Sequence, residues 1–316
     1  MTEDEFKKFW EDYQRDEHEA SKKRDAYQKE IMPGLLKIPI EGFVSDDDRI
    51  TLSPDLQIIR VNAETRDEFF QRAASLELRD YRQENNWFFL SYKFEDQRGK
   101  IGGIETGNRI LLIAIFFAMC SEKRVRINKS QGFVPQGDEL RSIGITRVPN
   151  APWSYESRVT FESEVIEEIR TLWPLFQDSF TNQQHFALVA RRYYFSLIRN
   201  QWEDQLIDLI ISLEALLVPE TDDVNKSGKI SKRLSRLLSK QFKRGEVSTI
   251  VKNCYNLRNE IVHGNPKPDI NTDAYTLVEF LQKYVNAALK VYLLEYRNLH
   301  PKDLANRIDN MTGDQI

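Results

Sequence analysis

From residue 180 onward the chain follows the period of an α-helix, and short breaker segments cut that pattern into pieces of bundle length. Apolar residues recur at three- and four-residue spacing over 182–200, 202–217, 229–242, 246–263 and 272–297. Pro219 stops the second piece, and the loop 219–228 that follows carries Pro, Asp, Asn, Ser and Gly. Pro266 and Pro268 separate the fourth piece from the fifth. Helices with connections this short predict a bundle.

The first half has a different texture. Thr2 and Glu5 have capping-box spacing, and Phe6, Phe9, Trp10 and Tyr13 share one helical face. This predicts an amphipathic helix over 2–30, ended by Pro33-Gly34. Leu56 to Val61 is apolar and β-branched, and Phe88, Leu90, Tyr92 and Phe94 alternate, so both stretches predict strands. Helices are expected over 65–78 and 108–123, with strand-like pieces around 124–127, 144–148 and 157–161. The expected fold class is therefore an α+β domain over 1–178 followed by an all-α domain over 179–316. The apolar run from Ile110 to Cys120 is too short to span a bilayer and predicts a buried helix.

Composition removes several function classes. With 41% hydrophobic and 30% charged residues the chain has material for a core and a solvated surface. The formal charge of −4 argues against indiscriminate nucleic-acid binding by the whole surface, though not against a local basic patch. Cys120 and Cys254 stand alone without a CxxC pattern, which favours a reduced cytoplasmic compartment over a disulfide framework. The acidic start, Met1 to Glu5, lacks the apolar region of a signal peptide, and no membrane partner is expected.

The stretch Tyr255-Asn256-Leu257-Arg258-Asn259-Glu260-Ile261-Val262-His263-Gly264 carries the chemistry. Arg258 is a permanent cation that can hold a phosphate through two hydrogen bonds. His263 is of the residue type suited to moving a proton near neutral pH. Together they suit attack on a phosphodiester, and no metal-ligand set or cofactor motif accompanies them. On a helix the two are about 140° apart with about 7.5 Å of rise, whereas Asn259 and His263 lie on one face. They converge on one phosphate only at a groove wall, as where two copies of the helix meet about a two-fold axis. Gly264 as a C-terminal cap would leave the histidine at an accessible helix end. The plainer alternative is a surface arginine and a histidine that favours the helix dipole.

Residues 180–300 resemble the HEPN superfamily, and within it the Apea-like group. The similarity runs from Trp202-Glu203-Asp204 through Ile211-Ser212-Leu213-Glu214-Ala215-Leu216-Leu217, then a Lys/Arg-rich helix, then the 257–264 stretch. The family signature is an arginine, a polar residue, three variable residues and a histidine, which Arg258, Asn259 and His263 match. The resemblance implies an antiparallel helical bundle that forms a homodimer and a metal-independent ribonuclease of the kind used in phage defence or toxin systems. His263 would then be the general base or acid, Arg258 the phosphate ligand, and Asn259 the group that orients them. Other members have lost catalysis and only bind. In members silenced by a nucleotidyltransferase antitoxin a tyrosine lies two residues beyond the histidine; here that position is Asn265, which argues against such silencing.

Lys226 to Arg244 contains Lys229, Lys232, Arg233, Arg236 and Lys240 and no acidic residue. Ile230, Leu234, Leu237 and Leu238 supply an apolar stripe, so the basic groups are expected to face outward, either tracking an RNA backbone or simply solvated. Arg191-Arg192-Tyr193-Tyr194 offers a phosphate contact and a stacking ring, or tyrosine core packing. Asp46-Asp47-Asp48 reads as a solvated loop, and Gly99 to Gly103 as a turn without Walker spacing. His18, His185 and His300 have no metal-spaced partners. The aromatic residues of 87–94 suit a strand core or a recognition pocket. The N-terminal domain resembles no family, and a regulatory protein or phage-derived trigger is a candidate ligand for it.

Overall fold

Two long extended segments, β1 (Ile31–Ile40) and β5 (Trp87–Gln97), pair antiparallel from Ile31↔Gln97 to Ile40↔Phe88. They form the centre of a six-stranded antiparallel sheet. β4 (Leu56–Val61) and then β3 (Arg49–Thr51) extend it beyond β5, while β6 (Lys129–Gln136) and β7 (Glu139–Arg147) extend it beyond β1. The computed structural model describes residues 17–26, 29–40, 43–44, 47–62, 87–97, 104–121, 129–136, 139–147, 159–160, 163–219, 224–264 and 274–311. Two compact units result, one of 1–41, 47–111 and 127–148, the other of 42–46, 112–126 and 149–316.

In the first unit Pro33-Gly34 does not end a helix but lies within β1. β6 joins β1 only at Leu35–Lys37, so at Pro33 the strand is still an edge on one side, where a missing N–H costs least. Gly34 stands directly opposite Phe94, whose ring folds over it. That ring stacks on Tyr92 at 6.0 Å, and the Arg109 guanidinium lies 4.5 Å from its centre. The alternation of Phe88, Leu90, Tyr92 and Phe94 holds for one face of β5, while Phe89 and Ser91 bury the other. These rings are core. Of the helix expected over 2–30, the described residues 17–26 and Lys29 are helical, and Glu30 is not. The expectations over 65–78 and 124–127 lie outside the described residues.

Among its described residues the second unit is helical apart from turns and a parallel pair, β2 (Phe43–Val44) and β8 (Val159–Thr160). Its helices are α1 (Ile104–Ser121, from residue 112 on), α2 (Ser163–Asn182), α3 (Gln184–Ile198) and α4 (Trp202–Leu217). Then follow α5 (Lys226–Leu237), α6 (Arg244–Val262), α7 (Ala274–Val291) and α8 (Pro301–Asp309). The boundary expected at 178 falls inside α2, whose Ile169, Leu172, Trp173, Phe176 and Phe180 are buried at helical spacing. Aromatic contacts run Phe116–Trp173 (5.0 Å), Phe116–Phe176 (5.2 Å), Phe176–Phe186 (5.7 Å) and Phe186–Tyr292 (5.4 Å), tying α1, α2 and α3 to the end of α7. α4 is central, packing on α3, α5, α6, α7 and α8. Buried Asn286 of α7 donates to Met119 O at 2.7 Å and Tyr193 Oη at 2.8 Å, satisfying a carbonyl in the last turn of α1. Cys120 and Cys254 are free and buried. No helix among the described residues is long and apolar enough to cross a membrane.

After Val291 the helix widens into a π turn, Tyr292–Tyr296, beside a polar cluster the sequence did not announce. Tyr292 Oη lies 2.9 Å from His185 Nε2 and 2.9 Å from Gln183 Oε1, and the His185 and His300 rings are 6.2 Å apart. Burial, then the nearby His300, push the His185 pKa down.

Two predictions follow from these packings. An added Cβ at Gly34 would meet the Phe94 ring closer than 3.0 Å, so Gly34→Ala should cost about 1–3 kcal/mol in urea unfolding. A wild-type midpoint in that variant would mean the ring swings aside freely. For His185 the folded state binds fewer protons than the unfolded state. Its contribution is complete above the ordinary histidine value of about 6.5 and is lost as pH falls below it. Melting temperatures at pH 7.5 and pH 5 should therefore diverge less in His185→Gln than in wild type, and equal divergence would refute this.

Candidate functional site

Residues 255–264 form the last two turns of α6 and its cap. Val247, Val251, Cys254, Tyr255 and Leu257 face the core, while Lys252, Asn253 and Asn256 face solvent. Arg258 and Asn259 lie half-buried at the border, and His263 is exposed. The helix stops because Gly264 adopts φ 75°, a left-handed conformation that glycine adopts without strain. Its N–H donates to Ile261 O at 3.1 Å, and the His263 N–H donates to Asn259 O at 3.0 Å.

Arg258 is the most constrained of the three predicted catalytic residues. Its Nη1 donates to Asn259 Oδ1 at 3.2 Å, and its guanidinium carbon lies 6.0 Å from the centre of the Tyr255 ring. Its Nε is buried without a hydrogen-bond partner among the described residues. A buried unpaired donor of this kind is costly and sits where an acceptor is missing. Arg258 and Asn259 are thus in contact. The His263 imidazole has no partner among the described residues and extends past the last full turn.

Spacing gave no hint of the support beneath Arg258. Tyr255 Oη donates to Glu214 Oε1 of α4 at 2.9 Å, across 41 positions of sequence. Burial, followed by the hydrogen bond and charge of Glu214, pushes the Tyr255 phenol up to about 12, with Arg258 pulling the other way. The phenol therefore stays a donor throughout neutral pH. Both residues lie within the segments that carry the family resemblance, yet only the fold reveals their contact.

The basic stretch needs correction. Lys232 and Lys240 are exposed as expected, and Lys240 has Glu295 at 3.8 Å. Arg233 does not face outward; it is 5% exposed. Its Nη1 donates to Leu217 O at 2.7 Å, and its Nε and Nη2 reach Asp309 Oδ2 at 3.1 and 2.7 Å. Arg236 Nη1 donates to Ile308 O at 3.2 Å and Asp309 O at 2.8 Å. Both arginines satisfy helix C-terminal carbonyls, a favourable place for a cation. Lys229 is half-buried and already engaged.

The other candidates are structural. Tyr193 and Tyr194 are core residues. Arg192 and Arg199 hold the buried Asp208 carboxylate at 2.8 and 3.0 Å, pinning α3 to α4, and Arg191 lies over the Phe180 ring at 5.2 Å. Asp48 pairs with Arg60 at 2.9 Å, and Asp47 is exposed. Asp46 and the 99–103 glycine run lie outside the described residues, as does Asn265.

The two kinds of basic residue are separable by stability. Arg233→Met should lower unfolding stability by about 2–4 kcal/mol, because it strands Asp309 and the Leu217 carbonyl. Lys232→Ala should stay within about 0.5 kcal/mol of wild type. Equal urea midpoints for the two variants would remove Arg233 from its structural role.

No protein-family model, curated protein or solved structure matches this chain.

Proposed function

We propose that the chain is a metal-independent endoribonuclease of HEPN type, acting as a homodimer in antiviral defence or as a toxin. One observation carries the reading. A half-buried arginine that meets no carboxylate among the described residues lies just over one turn before an exposed histidine, at a helix end closed by a left-handed glycine. Arg258 would bind the scissile phosphate and stabilise its developing charge, an effect of order 3 kcal/mol by comparison with lost oxyanion donors. His263 would take the proton from the ribose 2′-OH or deliver one to the leaving 5′-oxygen. Asn259 holds one guanidinium nitrogen and so sets which edge faces the phosphate. Because the two principal groups point about 140° apart, the reading places two α6 helices face to face, so that each phosphate meets both.

Exposed Lys232 and Lys240 remain candidates for backbone contact with RNA, while Arg233, Arg236 and Lys229 already have protein partners. That loss of free basic surface favours a second reading, a non-catalytic RNA- or protein-binding module. On either reading the N-terminal unit would house a sensor for a regulatory protein or a phage-derived trigger, in the cytoplasm.

The test is RNA cleavage in EDTA with end-group analysis. Wild-type protein should leave 2′,3′-cyclic phosphate ends and spare DNA. Arg258→Ala and His263→Ala should each lose about 10²–10⁴-fold in rate while melting like wild type. Cleavage that chelation abolishes, or that survives His263→Ala, would overturn the mechanism. RNA binding without cleavage, unchanged in both variants, would favour the binding module.

A further inference from the structure

We propose that Tyr255 and Glu214 are positioning residues that hold the Arg258 guanidinium with its Nη2 end free to receive a phosphodiester; this rests on the ribonuclease reading. The geometry shows what each contributes. The Tyr255 ring lies under the guanidinium at 6.0 Å, a cation–π distance, and gives the cation a flat support that uses none of its N–H donors. Asn259 takes one Nη donor at 3.2 Å, which fixes rotation about the end of the side chain. The buried Nε then has no protein partner among the described residues. With Nε buried, an oxyanion is met by the Nη end of the fork, where Nη2 has no protein partner among the described residues.

Glu214 has a less evident role. Arg192, Arg233 and Arg236 of the same unit each meet a carboxylate. Among the described residues Arg258 meets none, although α4 carries Glu214 next to its own neighbour Tyr255. The tyrosine hydroxyl donates to Glu214 Oε1 at 2.9 Å and so gives the carboxylate a partner other than the guanidinium. A direct Arg258–Glu214 pair would fill the fork and exclude phosphate. With the phenol as its partner, the carboxylate locks the ring, the ring supports the cation, and the cation stays available. The bond, not the charge, does this, so an amide acceptor at 214 should suffice.

The experiment uses the full chain with Tyr255→Phe, Tyr255→Leu, Glu214→Gln and Glu214→Leu, followed by two readouts. In RNA cleavage, Tyr255→Leu and Glu214→Leu should lose roughly 10²-fold in kcat, the scale expected of an ångström-level misplacement, with KM for RNA little changed. Tyr255→Phe, which keeps the ring but loses its lock, should lose about 10-fold, and Glu214→Gln should retain wild-type rate. The second readout needs no activity. The Arg258 Nε–H resonance, assigned by its absence in Arg258→Ala, should be sharp in wild type and Glu214→Gln and shift on titration with inorganic phosphate. It should broaden or vanish in Tyr255→Leu and Glu214→Leu. If wild type cleaves no RNA yet the resonance follows this pattern, the ribonuclease reading falls and the positioning role stands. If the resonance is indifferent to all four substitutions, or Tyr255→Leu cleaves at wild-type rate where Arg258→Ala does not, the positioning role falls. The near-isosteric Tyr255→Phe and Glu214→Gln keep both outcomes readable should a leucine variant fail to fold.

Discussion

Arg233 lies 5% exposed among the helices of the second unit, and a guanidinium there is tolerated only with its donors filled. The donors are filled by the end of α4, through Leu217 O, and by Asp309 at the end of α8. Arg236, one turn on, takes the Ile308 and Asp309 carbonyls. Two cations on α5 thus satisfy orphan carbonyls on two other helices, at the termini where the macrodipole also favours positive charge. This clamp fixes the C-terminal end of α4. Three residues before Leu217 stands Glu214, which fixes Tyr255, whose ring lies under Arg258. The candidate site is therefore last in a chain of dependence that begins at a buried charge far from it in sequence.

The parts of the fold that were legible are those whose stop signals are local. α4 runs Trp202–Leu217, as Pro219 and the loop after it dictate, and β4 covers Leu56–Val61 as its β-branched run does. In the apolar run at 110–120, which lies in α1, Ile110 and residues 113–120 are buried, as its lack of charge required. Local rules failed where tertiary context reverses them. Pro33-Gly34 is punctuation in isolation, yet an edge position excuses the proline and a cross-strand Phe94 needs the glycine. α2 was missed although Ile169, Leu172, Trp173 and Phe176 have helical spacing, because strand-like residues precede it. α8 was missed because it is short, although His300-Pro301 carries the signature of a helix start.

Arg233 marks the same boundary at the scale of one side chain. Three residues after Ile230 and one before Leu234, it falls within the apolar stripe that the helical period defines. Charge argued for the outside and period for the inside, and the period won because Asp309, 76 positions later, supplies the counter-charge. No reading of the basic stretch alone contains that partner. The site was legible to the same degree: the arginine, amide and histidine stand out by residue type and helix register, while the tyrosine–glutamate support does not.

The two principal groups of the site are held in opposite ways. Arg258 is backed by a ring, tethered by an amide and half-buried, so little side-chain freedom remains to be lost when an anion binds. His263 lies beyond the last full turn, its backbone held by Asn259 O and its imidazole free of partners among the described residues. On the proposed reading this divides the work: the fixed cation locates the phosphate, and the histidine gains its orientation only when something covers the end of α6. Substrate alone or a second copy of the helix can supply that cover. On that reading only the second copy would also close the angle of about 140° between the two groups, because a two-fold axis would set the histidine of one chain opposite the arginine of the other. On the proposed reading, an active site that is complete only when its partner arrives would keep the separate chain from cutting RNA.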